Sequence, residues 1–229
     1  MDITQLLIFT VPIVAVWAGF IFAWIVRPKS KKSVDLFLAF SGAFLLALTF
    51  FELLPEVYKE DDHKTIALFI LAGILLQVFL EFFSKGAEHG HVHIGPKENK
   101  FPLLLFLSLS LHALIEGVPI HANNSILYGI IIHKIPVAII LGIFLVNSKI
   151  KKSAVLLFVT VFSVMTPLGS YFSMHSPWIA DYGHLATALA IGVFFHISTI
   201  ILFESSKEHS FNMGKLMVII LGVAIAYFI

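Results

Sequence analysis

Residues 101–147 read FPLLLFLSLSLHALIEGVPIHANNSILYGIIIHKIPVAIILGIFLVN. Two apolar runs flank the polar segment HANN at 121–124, and each run has about the 20 residues that a helix needs to cross the hydrocarbon core of a bilayer. This stretch therefore predicts two membrane-spanning helices, 101–120 and 125–147, joined as an antiparallel hairpin.

The composition of the whole chain points the same way. Of 229 residues, 59% are hydrophobic and 13% are charged, whereas about a quarter of an ordinary soluble domain is charged. The net charge is +1, which gives no electrostatic reason to bind a polyanion. These values exclude a soluble domain, a disordered chain and a nucleic-acid binder. The absence of cysteine excludes disulfides and thiolate chemistry.

Six further apolar runs are long enough to span a bilayer, so the predicted fold class is an all-α polytopic membrane protein. The short connections favour a single transmembrane domain over residues 1–229. The eight predicted spans are 4–26, 34–55, 65–83, 101–120, 125–147, 153–172, 183–203 and 211–229.

The distribution of basic residues predicts the orientation of these spans. Twelve of the 15 lysines and arginines lie in odd-numbered connections, and only two lie in even-numbered ones. Since basic residues accumulate in cytoplasmic loops, the prediction is a multi-pass protein of the cell (plasma or inner) membrane with both termini extracytoplasmic. The remaining basic residue is Lys134, inside the fifth span.

A weak internal similarity suggests an inverted repeat. The second span contains SGAF at 41–44 with Thr49 further on, and the seventh contains IGVF at 191–194 with Thr199 at the same offset. The two spans run in opposite directions in the predicted topology, as in many secondary transporters. The expectation is an inverted repeat of helices 1–3 and 6–8 around a central 4–5 hairpin, although chance similarity explains the match equally well.

Ionisable residues at membrane depth usually line a pathway or a site. His112 and Glu116 are four residues apart and share one face of the fourth span, while His133 precedes Lys134 in the fifth. The hairpin midpoint is between residues 122 and 123, so both histidines are 10.5 residues from it. At 1.5 Å per residue they lie at the same depth, ~16 Å from the turn. Two imidazoles and a carboxylate are therefore expected to converge there.

Imidazole with carboxylate suits Zn, Fe(II), Co, Ni or Cu and suits Ca or Mg poorly. The alternative is a buried hydrogen-bond network that only holds two helices together. Pro119 and Pro136 cannot bond the carbonyls of Ile115 and Ile132, so these freed carbonyls are candidate extra ligands, unless both prolines are ordinary kinks.

Other polar residues are candidates for the ion path. The candidates are Glu52 in the second span, Lys134 in the fifth and His196 in the seventh. Glu52 and His196 either join the path or make local hydrogen bonds. Three alternating histidines in the third connection, a weak metal-binding signal, form a candidate auxiliary metal loop or a merely polar one. They are His89, His91 and His93.

Taken together, these motifs resemble the ZIP (Zrt-, Irt-like) family of divalent metal transporters. HALIEG at 112–117 is similar to the family signature His-Asn/Ser-x-x-Asp/Glu-Gly, and HKIPVA at 133–138 is similar to its His-Glu/Lys-x-Pro-x-x partner. Residues 42–56, which end in LLPE, resemble the family's second helix, and TPLG at 166–169 resembles its sixth. The histidine tract also follows the third helix, as in the family.

The resemblance implies eight helices, extracytoplasmic termini and a metal site between helices 4 and 5. Carried over to this sequence, His112, Glu116 and His133 match the principal ligands. Three positions depart from the pattern: Ala113, Lys134 and Val137 stand where the binuclear members build a second metal site. One ion at a time is therefore expected, because the Lys134 ammonium is available to fill that space and pair with Glu116.

The leading hypothesis is a transporter that moves Zn²⁺, or a similar divalent transition metal, into the cytoplasm, with the metal as substrate and no permanent cofactor. A transport-incompetent sensor or scaffold locked by a Lys134–Glu116 pair is the alternative. A membrane enzyme or haem protein is a third hypothesis. A metalloprotease is disfavoured because the chain has no His-Glu-x-x-His motif. Zn²⁺, Fe²⁺, Mn²⁺ and Cd²⁺ stay open as the metal carried, and a homodimer stays open beside a single chain.

Overall fold

The computed structural model describes residues 3–27, 31–60, 62–84, 101–121, 124–203 and 213–229. Every regular element in these ranges is helical. Seven helices are long and apolar enough to cross a membrane, and an eighth, near the C-terminus, is shorter. The helices are α1 (Ile3–Val26), α2 (Lys31–Leu48, extended by Thr49–Leu53 and Leu54–Val57), α3 (His63–Ser84), α4 (Leu103–Gly117), α5 (Asn124–Asn147), α6 (Lys152–His175), α7 (Pro177–Phe203) and α8 (Met213–Tyr227).

The predicted all-helical membrane fold is confirmed, and two helices differ from the sequence-based expectation in detail. In α2, Pro55 does not end the helix: residues Thr49–Leu53 form a π-helical turn, and the helix then continues to Val57. The π-helical turn ends two residues before Pro55, at the place where the missing N–H and the ring of a proline would otherwise disturb the α-helical hydrogen bonds. Helix α7 begins at Pro177, six residues early, and has a non-helical break at Tyr182 (φ −119°, ψ 17°).

The helices are closest at positions occupied by small residues. A Cβ atom at Gly73 of α3 would overlap the carbonyl oxygen of Leu189 in α7, and a Cβ at Gly192 of α7 would overlap that of Ile70 in α3. Helix α8 approaches α2 at Gly222, where a Cβ would lie 2.8 Å from the Phe40 carbonyl oxygen. Small residues at crossings let backbones approach closely, which is how membrane helices gain packing energy.

The four most extensive helix pairings are related to one another as an inverted repeat would relate them. The most extensive contacts join α3 to α7, α1 to α5, α2 to α8 and α4 to α6. If helices 1, 2, 3 and 4 are exchanged with helices 6, 7, 8 and 5, respectively, the α3–α7 pair becomes the α8–α2 pair. The same exchange turns the α1–α5 pair into the α6–α4 pair. The match is incomplete, because α3 contacts α4 whereas its counterpart pairing of α8 with α5 is much weaker. The repeat itself stays a prediction.

Apolar side chains cover both the interior and the outside of the bundle. Phe44, Phe158, Phe162 and Phe194 are fully buried. The outward faces of α3 and α8 carry large exposed hydrophobic residues, for example Phe82 at 78% exposure. Such a surface is incompatible with water and matches a lipid environment.

Candidate metal centre

The centre starts with one helical turn of α4. His112 and Glu116 are four residues apart, so their side chains stack on one face. Nε2 of His112 lies 3.0 Å from Oε1 of Glu116. Both residues are buried, at 3% and 1% exposure. A carboxylate in such surroundings requires strong polar partners, because an unpaired buried charge is very costly.

Helix α5 supplies the third member, His133. Its Nε2 lies 3.9 Å from the same oxygen, Oε1 of Glu116, and its ring centroid is 6.4 Å from that of His112, with the rings nearly perpendicular. The two histidines therefore meet at one depth, as the hairpin geometry predicts.

These three side chains are the one group of three or more His, Asp or Glu residues, within the described ranges, whose geometry could hold a metal ion. One ligand atom from each lies within 4.8 Å of the others. Ligand nitrogens at ~2.0–2.1 Å from a tetrahedral Zn²⁺ are about 3.3 Å apart. Small side-chain movements would therefore bring the three atoms to coordinating distance.

Lys134 occupies the other side of the carboxylate. Its Nζ donates a hydrogen bond to Oε2 of Glu116 at 2.6 Å and lies 5.2 Å from the centre of the Phe162 ring in α6. Lys134 is 2% exposed. The two oxygens of Glu116 are thus divided: Oε1 faces the imidazoles and Oε2 holds the ammonium.

Helix α6 fixes the backbone of α4 beneath these ligands. The hydroxyl of Thr166 donates to the carbonyl oxygen of Ala113 at 2.8 Å, and that of Ser170 donates to the carbonyl oxygen of Gly117 at 2.8 Å. Gly117 and Gly169 sit against each other where the two helices cross, and a Cβ atom at Gly169 would overlap the carbonyl oxygen of Leu114. The ligand-bearing turn is therefore held by both hydrogen bonds and close packing.

The Ile115 carbonyl, a candidate extra ligand, is not left without a hydrogen bond. Pro119 cannot donate to it, but α4 tightens into a 3₁₀ turn over Val118–His121, and the backbone N–H of Val118 donates to the carbonyl oxygen of Ile115. A 3₁₀ turn commonly satisfies the last carbonyls of a helix in this way. The corresponding expectation for Ile132 and Pro136 stays a prediction.

The remaining predicted residues lie outside this group. Glu52 is half-buried in the π-helical turn of α2. His196 of α7 pairs with Glu81 of α3, with Nε2 of the histidine 2.6 Å from Oε2 of the carboxylate. Neither Glu52 nor His196 belongs to the three-residue group. The histidines of the predicted auxiliary loop, His89, His91 and His93, lie outside the described residues.

Sequence reasoning missed three contributors to these sites. Glu81 is close to the end of an apolar span, where a carboxylate is ordinary because the membrane surface is near. Phe162 is one of 23 phenylalanines, so its type carries no signal. Ser170 is four residues after Thr166, a spacing that places two hydroxyls on one helix face and could have indicated a polar contact with a neighbouring helix.

The fold and this centre define a class: a helical membrane protein with a buried His-Glu-His group at a central hairpin. Comparison with known sequences narrows that class. The profile of the ZIP zinc transporter family matches residues 99–229, which is more than half of the chain. The chain belongs to the ZIP family.

Two curated relatives are similar over parts of their length. Zinc transporter ZIP1 of Danio rerio is 38% identical over 88 residues, which cover 36% of this chain and 29% of that protein. Protein zntD of Dictyostelium discoideum is 28% identical over 162 residues, which cover 60% of this chain and 24% of that protein. The chain thus aligns with less than a third of the length of either relative.

Proposed function

We propose that this chain transports divalent transition-metal ions, Zn²⁺ foremost, across the membrane and into the cytoplasm through a single-ion site between α4 and α5. The observation that carries the proposal is the convergence of His112, Glu116 and His133, with ligand atoms within 4.8 Å of one another and all three residues buried. Family membership and the relative named as a zinc transporter support the same activity.

The proposed ligands match the chemistry of the ion. Two neutral imidazoles and one carboxylate oxygen form a borderline donor set, which binds Zn²⁺ well and hard ions such as Mg²⁺ poorly. Three protein ligands leave one position of a tetrahedral ion for water. A site with an exchangeable position suits an ion that has to enter and leave.

Lys134 makes the proposed site mononuclear. Its ammonium contacts Oε2 of Glu116, so a second divalent ion at that oxygen would meet a fixed positive charge. The neighbouring buried side chains of Ala113 and Val137 offer no ligand atom.

Metal uptake into proteoliposomes tests the proposal. The purified chain is reconstituted, and entry of Zn²⁺, Fe²⁺, Mn²⁺ and Cd²⁺ is followed with an enclosed fluorescent indicator. We expect His112→Ala to abolish uptake and His175→Ala to leave it unchanged, because His175 is exposed and stacks on Tyr171 away from the centre. Thermal unfolding of each variant separates loss of transport from loss of fold. Normal uptake by His112→Ala would refute the site.

A second function is favoured by the Lys134–Glu116 contact itself. A buried ion pair that shuts the path would make the chain a metal sensor or membrane scaffold without transport. Such a protein binds Zn²⁺ through His112 but shows no uptake in the same proteoliposomes, whereas a transporter shows both.

The proposed direction depends on the orientation of the chain. Since the chain has no native cysteine, single variants Lys59→Cys and Lys149→Cys report the two faces without background. We expect an impermeant maleimide added to intact cells to label position 59 and to spare position 149. The reverse pattern would invert the proposed topology.

A further inference from the structure

A cavity of about 280 Å³ lies away from the metal centre, where α1 ends and the α5–α6 connection passes over into α6. Its walls are mainly apolar, and two basic side chains stand at it. The lining residues are Phe20, Trp24, Arg27, Leu145, Val146, Ser148, Ile150, Lys152, Val155 and Leu156.

The two charged residues that line this cavity are both basic. Arg27 and Lys152 are exposed, and neither side chain forms an ion pair or hydrogen bond with the residues that the structure describes. Stretches 20–34 and 146–156, which supply most of the walls, contain no Asp or Glu. An anion reaching this cavity would therefore meet two uncompensated cations beside an apolar surface.

Membrane orientation accounts for basic residues on this side of the bundle, but the local backbone disfavours a cation at both of these positions. Arg27 adopts φ 46°, a left-handed conformation that ends many helices but is usually taken by glycine, because a side chain costs roughly 1–2 kcal/mol there. Lys152 begins α6, where the positive end of the helix dipole disfavours a cation. Two unfavourable placements beside one cavity indicate that the charges serve a ligand.

The position of the cavity along the bundle favours a lipid as that ligand. Helix α1 has 24 residues, about 36 Å of helix, so its last turn lies at the boundary between hydrocarbon and headgroups. Trp24, whose indole suits this boundary, is 46% exposed beside Arg27. A polar anionic group between two basic residues, with acyl carbons along Phe20 and Leu156, fits both the charged rim and the apolar wall.

We propose that this cavity binds an anionic phospholipid, whose phosphate lies between Arg27 and Lys152. Basic pockets between membrane helices on the cytoplasmic side are known to take such headgroups. The predicted orientation places this end of the bundle in the anionic leaflet. The proposal rests on the orientation proposed above but not on metal transport.

Quenching of Trp24 by brominated lipid tests the proposal at the site itself. The chain has three tryptophans, so Trp17→Phe and Trp178→Phe leave Trp24 as the only reporter. The full chain is placed in phosphatidylcholine nanodiscs containing a small fraction of brominated phosphatidylglycerol or brominated phosphatidylcholine. Each of the two basic residues contributes about a fivefold preference for an anionic headgroup, so we expect roughly a 25-fold preference for phosphatidylglycerol.

Arg27→Gly and Lys152→Gln together should remove this preference, whereas Lys64→Gln, an exposed lysine at the start of α3, should retain it. Arg27→Gly also relieves the left-handed backbone, so lost binding is not confused with lost fold. Equal quenching by the two lipids, or a preference that survives the double substitution, would overturn the proposal. Displacement of phosphatidylglycerol by equimolar inorganic phosphate would assign the site to a free anion and would overturn it as well.

Discussion

The ammonium of Lys134 and the carboxylate of Glu116 are 2.6 Å apart, and the ammonium takes the oxygen that faces away from the histidines. Both residues are almost completely buried. Burying two charges is tolerated when they are paired and hydrogen-bonded, and removing one partner is far more costly than removing both. In the proposed site a metal ion therefore has to share Glu116 with a cation that is part of the chain.

The first prediction concerns this sharing. Lys134→Met removes the charge and keeps much of the side-chain length. We expect Zn²⁺ affinity to rise about tenfold, because the repulsion between the ammonium and the ion is lost. We also expect the metal-free protein to lose about 3–5 kcal/mol of stability, because Glu116 is left buried without its partner. Isothermal titration and thermal unfolding measure the two effects separately.

Lys64→Met serves as the matched control for this substitution, since Lys64 is exposed at the start of α3. Lys64→Met should change neither the Zn²⁺ affinity nor the stability of the metal-free protein. An unchanged Zn²⁺ affinity in Lys134→Met would show that the ammonium does not compete with the ion.

The second prediction concerns Phe162, whose ring faces the same ammonium at 5.2 Å. An aromatic face stabilises a desolvated cation by up to about 2 kcal/mol. Phe162→Leu should therefore loosen Lys134 and raise Zn²⁺ affinity roughly two- to tenfold. In the Lys134→Met background the same substitution should have no effect on affinity, because there is no cation left to position.

Phe158→Leu controls for packing, because Phe158 is buried one turn earlier in α6 and contacts Phe101 and Phe106. It should lower stability without changing affinity. If Phe162→Leu has equal effects with and without Lys134, the ring contributes only to packing.

The third prediction concerns the crossing of α3 and α7. Adding a methyl group at Gly73 or Gly192 forces the backbones apart, because each Cβ would overlap a carbonyl oxygen of the other helix. We expect Gly73→Ala and Gly192→Ala each to cost about 1–3 kcal/mol, as overpacking of a close contact does. Thermal unfolding in detergent measures the loss.

Gly183→Ala provides the comparison, because the nearest neighbour of a Cβ at Gly183 lies at 3.4 Å, an ordinary contact. It should be neutral or slightly stabilising. Wild-type stability of Gly73→Ala would mean that the helices are not in close contact there.

The fourth prediction concerns the pairing of Glu81 with His196, which joins the same two helices. Alanine substitutions of the two residues should be non-additive, with a coupling energy of about 0.5–3 kcal/mol in a double-mutant cycle. The equilibrium affinity for Zn²⁺ at the central site should not change, because neither residue belongs to that group. As a control, the effect of Glu60→Ala on stability, at an exposed position, should add to that of His196→Ala. If the effects of the Glu81 and His196 substitutions were also additive, the contact between these two residues would contribute nothing to stability.

Much of this architecture can be predicted from hydropathy alone, because the bilayer imposes a minimum length on every apolar run. The convergence of His112 with His133 also follows from counting, since two antiparallel helices of equal rise bring residues equidistant from the turn to one depth. The π-helical turn at Thr49–Leu53 cannot be predicted from hydropathy or from residue counting. It alters hydrogen bonding without altering which residues are apolar.

Contacts between distant spans are the part that one sequence does not reveal. His196 is recognisable as an unusual residue in an apolar helix, but its partner Glu81 lies 115 positions away. No periodicity relates two such positions, and the pairing depends on which helices become neighbours. Phe162 is hidden for the same reason, because its role exists only once α6 lies against Lys134.

The pairing of helices that are far apart in sequence has a consequence for synthesis. Helix α1 has its most extensive contacts with α5, and α2 with α8, so the first helices to enter the membrane find their closest neighbours late. Until α8 has emerged from the ribosome, Gly222 cannot meet Phe40, and the face of α2 that packs against α8 remains open to lipid or to chaperones. Premature arrest of translation would therefore leave α2 without its closest partner, which is a state that membrane quality control can recognise.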